Sequence, residues 1–117
     1  MTPKPLIDEF AVFAKAYKTL PESLYKDFLK AISELEDNEC HRTHKFPHTQ
    51  LHSIEGDIKD YSVYRAYINK LSGWRLHLQY GKKDHYLHVI DIIPGNNHDH
   101  VIKEIKNKKN RYQKKRK

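Results

Sequence analysis

A guanidinium, an imidazole and a carboxamide recur at every second position in Trp74-Arg75-Leu76-His77-Leu78-Gln79-Tyr80. In an extended strand this spacing puts Arg75, His77 and Gln79 on one face and Trp74, Leu76, Leu78 and Tyr80 on the other. The apolar set belongs to a core. The polar set, on an open face, suits phosphate binding, because a guanidinium grips an oxyanion through paired N–H donors. Arg75 could equally pair with an acidic neighbour such as Asp91. Beyond the next apolar run, Asn97-His98-Asp99-His100 offers two more imidazoles, in the kind of loop that a rigid sheet presents for function. Imidazole titrates near neutral pH, so either could act as general acid or base, and RNA cleavage needs a proton taken from the 2′-hydroxyl and one given to the leaving 5′-oxygen. The plainer alternative for both is an exposed turn histidine.

Two other constellations invite chemistry. His41, His44, His48 and His52 fall three or four residues apart, which would align them on a helix and suggest metal. Pro47 interrupts such a helix, there is one cysteine and no HExxH, and no cofactor or metal is expected. Tyr61, Tyr64, Tyr67 and Tyr112 could stack on unpaired bases, although most tyrosines in a small sheet sit in the core or at its rim. No nucleotide-binding glycine loop or Gly-x-Ser-x-Gly setting occurs.

The elements that must position these residues are legible from periodicity. From Asp8 to Leu20, Phe10, Phe13, Ala14 and Tyr17 follow helical spacing, with Asp8 as an N-cap and Pro21 as the stop. A second amphipathic run places Leu24, Phe28, Ala31, Ile32 and Leu35 on one stripe and closes at Asp37-Asn38. The two predict an antiparallel helical hairpin, preceded by at most a very short strand around Pro5 to Ile7. Glu39 to Gln50, polar and broken by Pro47, is expected to be loop. Period-two segments follow at residues 63–68, 74–80 and 86–93, with turns at Leu71-Ser72-Gly73 and Gly81-Lys82-Lys83-Asp84, and predict an antiparallel meander. After Pro94-Gly95, Val101, Ile102 and Ile105 suit a short C-terminal helix, and residues 107–117 form a basic tail. The fold class is α+β: one domain over residues 1–106, with a helical hairpin packed on a small antiparallel sheet.

Charge narrows the partners. In 117 residues, 22 Lys and Arg face 15 Asp and Glu, a net +7 that favours an anionic partner. Nucleic acid comes first, since cations that neutralise phosphates release condensed counterions, with an acidic protein as the rival or companion. Cys40 alone cannot form an internal disulfide, and no apolar run approaches a membrane span, so a cytoplasmic protein without membrane contact is expected.

Order and residues together resemble the RelE/ParE toxin superfamily, and within it the RelE- and YafQ-like ribosome-dependent mRNA interferases. The resemblance runs through Phe10 to Lys15, Leu20-Pro21 and the helix ending at Asn38. It is sharper in Gly56, Tyr64-Arg65-Ala66-Tyr67-Ile68, Gly73-Trp74-Arg75-Leu76 and His98-Asp99-His100-Val101. The resemblance implies that Arg75 holds the scissile phosphate of mRNA, that Arg65 contacts the phosphate or steadies the attacking 2′-oxygen, and that His98 is the general acid. Tyr67 stands where RelE-like members place a lysine and YafQ-like members a histidine, so the base is open among Tyr67, His48 and His52. Ile102 stands where members often present a stacking aromatic. RNA contacts would come from His48, His52, His77, His100, Lys106, Lys108, Lys109 and Arg111, the tail meeting ribosomal RNA. An acidic antitoxin is the implied protein partner. The alternatives are a ParE-like toxin that binds DNA gyrase without cutting, or an inactive RNA-binding relative. They differ from the interferase in whether Arg65, Tyr67, Arg75 and His98 converge on one cleft.

Overall fold

The computed structural model describes residues 6–54, 63–81 and 86–95. Its elements in chain order are β1 (Leu6–Ile7), α1 (Val12–Thr19), a 3-10 turn (Glu22–Leu24), α2 (Tyr25–Leu35), α3 (Asn38–Thr43), β2 (His52–Ser53), β3 (Tyr64–Asn69), β4 (Trp74–Tyr80) and β5 (Leu87–Ile93). The strands form one sheet in the order β1-β5-β4-β3-β2. The expected meander is present as β3-β4-β5, antiparallel throughout. It is extended by β2 on one side and by β1, parallel to β5, on the other. The architecture is α+β, a helical hairpin packed on a five-stranded sheet.

Asp8 starts α1 from further away than an ordinary N-cap. Its carboxylate accepts from Val12 N at 2.7 Å and Phe13 N at 3.0 Å, while Ala11 at the cap position turns through a left-handed conformation with φ 55°. The hairpin closes through aromatic edges: Phe28 meets Phe13 at 5.7 Å and Tyr17 at 5.5 Å, and Tyr25 donates its hydroxyl to Tyr17 O. Helix α1 lies over β5 and α2 over β3. Between helices and sheet sits the core of Val12, Ala16, Phe28, Leu35, Ala66, Ile68, Leu76, Leu78, Leu87, Val89 and Ile92. Strands β3 and β4 contribute alternate residues to it, as the period of two requires, and β5 breaks step between Val89 and Ile92, where its ladder with β4 shifts register.

Two local expectations are corrected. The stretch 39–50 is not all loop, because Asp37 begins α3 instead of ending α2: its carboxylate accepts from Glu39 N and Cys40 N, satisfying donors that a helix start leaves open. The helix stops at His44, φ 56°, before Pro47 can interrupt it. Its one thiol, Cys40, has its pKa raised by burial and by the carboxylates of Asp37, Glu34 and Glu39. Tyr80, expected in the core, is partly exposed at the strand end and packs edge-on against Tyr64 at 5.1 Å, where burial and the Tyr64 phenol push its hydroxyl pKa up.

Glu34 carries the segment after α3. Its carboxylate accepts from His48 N at 2.8 Å and from both Thr49 N (2.8 Å) and Thr49 Oγ1 (2.6 Å), and Thr49 is completely buried. Thr49 O in turn accepts from Tyr67 N, which fixes the segment along β3. Glu34→Ala strands two buried donors, each costing ~1–3 kcal/mol. A thermal melt should show a fall on the order of 10 °C at about 4 °C per kcal/mol. Glu34→Gln, which keeps one acceptor oxygen, should lose less than half of that. Equal melting temperatures for wild type and Glu34→Ala would refute the assignment.

Candidate active site

The cross-strand register decides which polar side chains meet. Tyr67 lies opposite Arg75 and Arg65 opposite His77, so these four share the sheet face away from the helices. On the other flank, Arg75 lies opposite Ile93, His77 opposite Asp91, and Gln79 opposite His88. A register shift between Tyr67 and Asn69, and another between His77 and Leu78, bend the ladder beside this array.

The face is not open, which corrects the expectation for β4. Arg75 is 6% exposed, Gln79 6% and His77 0%. Strand β4 is the middle of five, and each of its residues is crowded from both sides by neighbours ~5 Å away. His77 therefore sits beneath the surface, between Arg65 and Asp91 in the ladder, and presents no contact area of its own. Asp91 is fully buried and accepts from Lys15 Nζ of α1 at 3.0 Å.

Where the array reaches the start of β4, a pocket of about 330 Å³ opens, lined by Arg65, Tyr67, Lys70, Leu71, Ser72, Gly73, Arg75 and Gly95. Three of the expected site residues, Arg65, Tyr67 and Arg75, thus meet in one cavity. Arg75 braces two of its walls, donating from Nη1 to Gly73 O at 3.0 Å and to Pro94 O at 3.4 Å. Arg65 Nε is buried without a hydrogen-bond partner among the described residues. Three cations, one phenol and no carboxylate line the pocket, a set that selects an anion.

The rim is the β3–β4 turn, and Asn69 shapes it. Asn69 Oδ1 accepts from Ser72 N at 2.8 Å, Asn69 O accepts from Gly73 N at 2.9 Å, and Nδ2 donates to Asp27 of α2 at 3.0 Å. Gly73 closes the turn at φ +79°, a conformation that L side chains rarely adopt. Against it lies Gly95, packed so closely that a Cβ there would overlap the Ser72 carbonyl oxygen. Lys70, carried into the pocket by this turn, is absent from the residues the sequence singled out. Its only signal was a position just before the Leu-Ser-Gly turn.

The remaining candidates separate. His52, on β2, is exposed, and its ring lies 6.3 Å from that of Tyr67 at 32°. Its Nδ1 contacts Gln50 O at 2.7 Å, and a carbonyl only accepts, so Nδ1 carries the hydrogen and the neutral ring presents Nε2 as a lone pair. His48 instead spends Nε2 on Ile68 O at 2.8 Å and its main chain on Glu34, a structural tie. Of the four regularly spaced histidines, His41 bonds Leu35 O, so His41, His48 and His52 each serve a different carbonyl. Tyr64 packs against the core and Tyr80, away from the pocket. His98, His100, Ile102, Lys106, Lys108, Lys109 and Arg111, with Tyr61, Tyr112, the expected C-terminal helix and the basic tail, lie outside the described residues.

No family profile matches the chain, and no curated protein matches it. Among solved structures, the crystal structure of an archaeal RelE–RelB complex from Pyrococcus horikoshii OT3 matches at a TM-score of 0.55 and 24% identity, over 83% of this chain and 99% of the other. The fold is RelE-like, as the sequence resemblance implies. Within the described residues no helix is long and apolar enough to cross a membrane.

Proposed function

We propose that this protein is the toxin of a toxin–antitoxin pair and that it cuts mRNA in the A site of the translating ribosome, without a metal, by attack of the 2′-hydroxyl on the adjacent phosphate. The observation that carries this reading is the convergence of Arg65, Tyr67 and Arg75, with Lys70, on one carboxylate-free pocket. A plain nucleic-acid-binding face would need only a broad basic surface. The RelE-like fold adds to it.

In this mechanism the scissile phosphate enters the pocket and its non-bridging oxygens meet the guanidinium groups of Arg75 and Arg65 and the ammonium of Lys70. As the 2′-oxygen bonds to phosphorus, charge grows on those oxygens, and preorganised cations stabilise it more than they stabilise the ground state. His52 Nε2, beside Tyr67, takes the 2′-proton. The P–O5′ bond breaks as His98 protonates the departing oxygen, leaving a 2′,3′-cyclic phosphate and a 5′-hydroxyl end. His98 follows the pocket residue Gly95 by three positions, a chain reach of at most about 10 Å. The basic residues Lys106, Lys108, Lys109 and Arg111 would seat the domain on ribosomal RNA. An acidic antitoxin would suit the net charge of +7. The structural neighbour is itself a complex of RelE with RelB.

The test is to incubate purified protein with mRNA, with and without translating ribosomes, and to map the ends. Ribosome-dependent cuts bearing 5′-hydroxyl ends, lost in His98→Ala, are expected. Intact mRNA in both conditions would overturn the nuclease and turn attention to a toxin that acts by binding alone.

A further inference from the structure

Leu71 is completely exposed, the extreme among the large apolar side chains of the described residues, and it stands on the lip of the cationic pocket. A leucine held in water gains nothing from folding, and isolated exposed leucines are common enough to need no explanation. This one differs in its mounting. The turn that carries it is fixed by Asn69 to Ser72 and Gly73, tied to α2 through Asp27, and pressed against Gly95. The side chain is therefore presented on a rigid support, which lowers the ordering cost of any contact it makes.

Its neighbours define the contact. Lys70, Arg65 and Arg75 anchor a phosphate, and a nucleobase hangs one sugar away from each phosphate of a strand. Among the described residues the tyrosines give little competing surface. Tyr64 is packed on the core, and Tyr80 lies at the far end of β4 from Arg75. Tyr67 and Leu71 both line the pocket, Tyr67 half-buried on β3 and Leu71 fully exposed in the turn.

We infer that Leu71 packs against the face of an unpaired nucleobase flanking the phosphate held in the pocket, so that the site selects single-stranded RNA. The inference deepens the nuclease reading and rests on it for the identity of the anchored phosphate. Apolar side chains lean on base faces irrespective of base identity, and a base inside an A-form duplex is stacked and out of reach. The turn is thus a two-part reader, with lysine for the backbone and leucine for the base.

The test uses a fluorescent, non-cleavable 2′-O-methyl oligonucleotide, its counterpart with abasic positions, and the corresponding duplex, titrated with full-length protein at low salt. Wild type should bind the base-bearing single strand about tenfold more tightly than the abasic strand or the duplex, the loss expected for one apolar contact. Leu71→Ser should erase that ratio at an unchanged melting temperature, and Leu71→Trp should keep or widen it. Equal binding of base-bearing and abasic strands by wild type, or a ratio surviving Leu71→Ser, overturns the inference. So does weakened binding of an acidic partner protein as the sole effect of Leu71→Ser. Ribosome-dependent cleavage by wild type is followed in parallel. A base effect without cleavage sinks the nuclease reading alone, and cleavage without a base effect sinks the Leu71 contact alone.

Discussion

Arg75→Ala should lower the rate of mRNA cleavage by about 10²- to 10³-fold, the usual cost of removing one preorganised donor from a site of developing charge. The side chain is nearly buried and also holds Gly73 O and Pro94 O, so truncation also loosens the pocket walls, at about 1–2 kcal/mol of stability. The two effects separate experimentally. A melt and circular dichroism should report a folded protein with a modestly lowered melting temperature, while the rate falls far more. Arg75→Lys discriminates further. It keeps the charge but offers a point donor in place of a planar fork that braces the backbone and, in the proposed mechanism, meets the phosphate, so it should restore less than a tenth of the lost activity. A folded Arg75→Ala protein with a wild-type rate would remove Arg75 from the site.

Gly95→Ala should be the most damaging single-methyl change in the described chain. The new Cβ would overlap the Ser72 carbonyl oxygen, and since the obstacle is main chain, no side-chain rotation relieves it. Ordinary overpacking costs ~1–3 kcal/mol. A clash of backbone with backbone should reach or exceed the top of that range, lowering the melting temperature by about 12 °C or more. Gly73→Ala is the milder partner. Its Cβ would come within 3.1 Å of Gly95 Cα and its φ of +79° would be strained, so about 1–2 kcal/mol is expected. In Gly95→Ala protein that stays folded, the turn must move away from β5, and cleavage should fall with it because Lys70 and Leu71 leave the pocket's edge. Unchanged melting temperature and rate in Gly95→Ala would mean that the two segments do not approach as described.

The meander and the helical hairpin were legible because their signals are local: alternation between Val63 and Ile93, and an apolar stripe from Leu24 to Leu35. The same alternation placed Arg75 and His77 on one face, and the register adds Arg65 and Tyr67 to it. It could not show that this face is buried, since period two gives the side a residue faces and not what lies over that side. Helix α3 went unread because Pro47 and the histidines suggested loop, although Asp37, with Glu39 in the first turn, is a helix-start signal. Lys70 was missed for a different reason. Its place in the pocket depends on a fold-back that Asn69 makes through its bonds to Ser72, Gly73 and Asp27 and on a glycine 22 positions past Gly73, a relation that no local pattern carries. The parallel pairing of β1 with β5 is equally non-local.

That last pairing bears on timing. Leu6 is joined to Leu87 and Ile7 to His88, so an early strand waits for a late one, and the Gly95 wall of the pocket comes later still. Closing so long a loop is entropically slow compared with forming the hairpin or the β3–β4 turn. During synthesis the helices and the central strands can assemble while the cavity is still missing a side. On the proposed nuclease reading, a chain still being made would lack this wall of the pocket until β5 and Gly95 have joined the sheet.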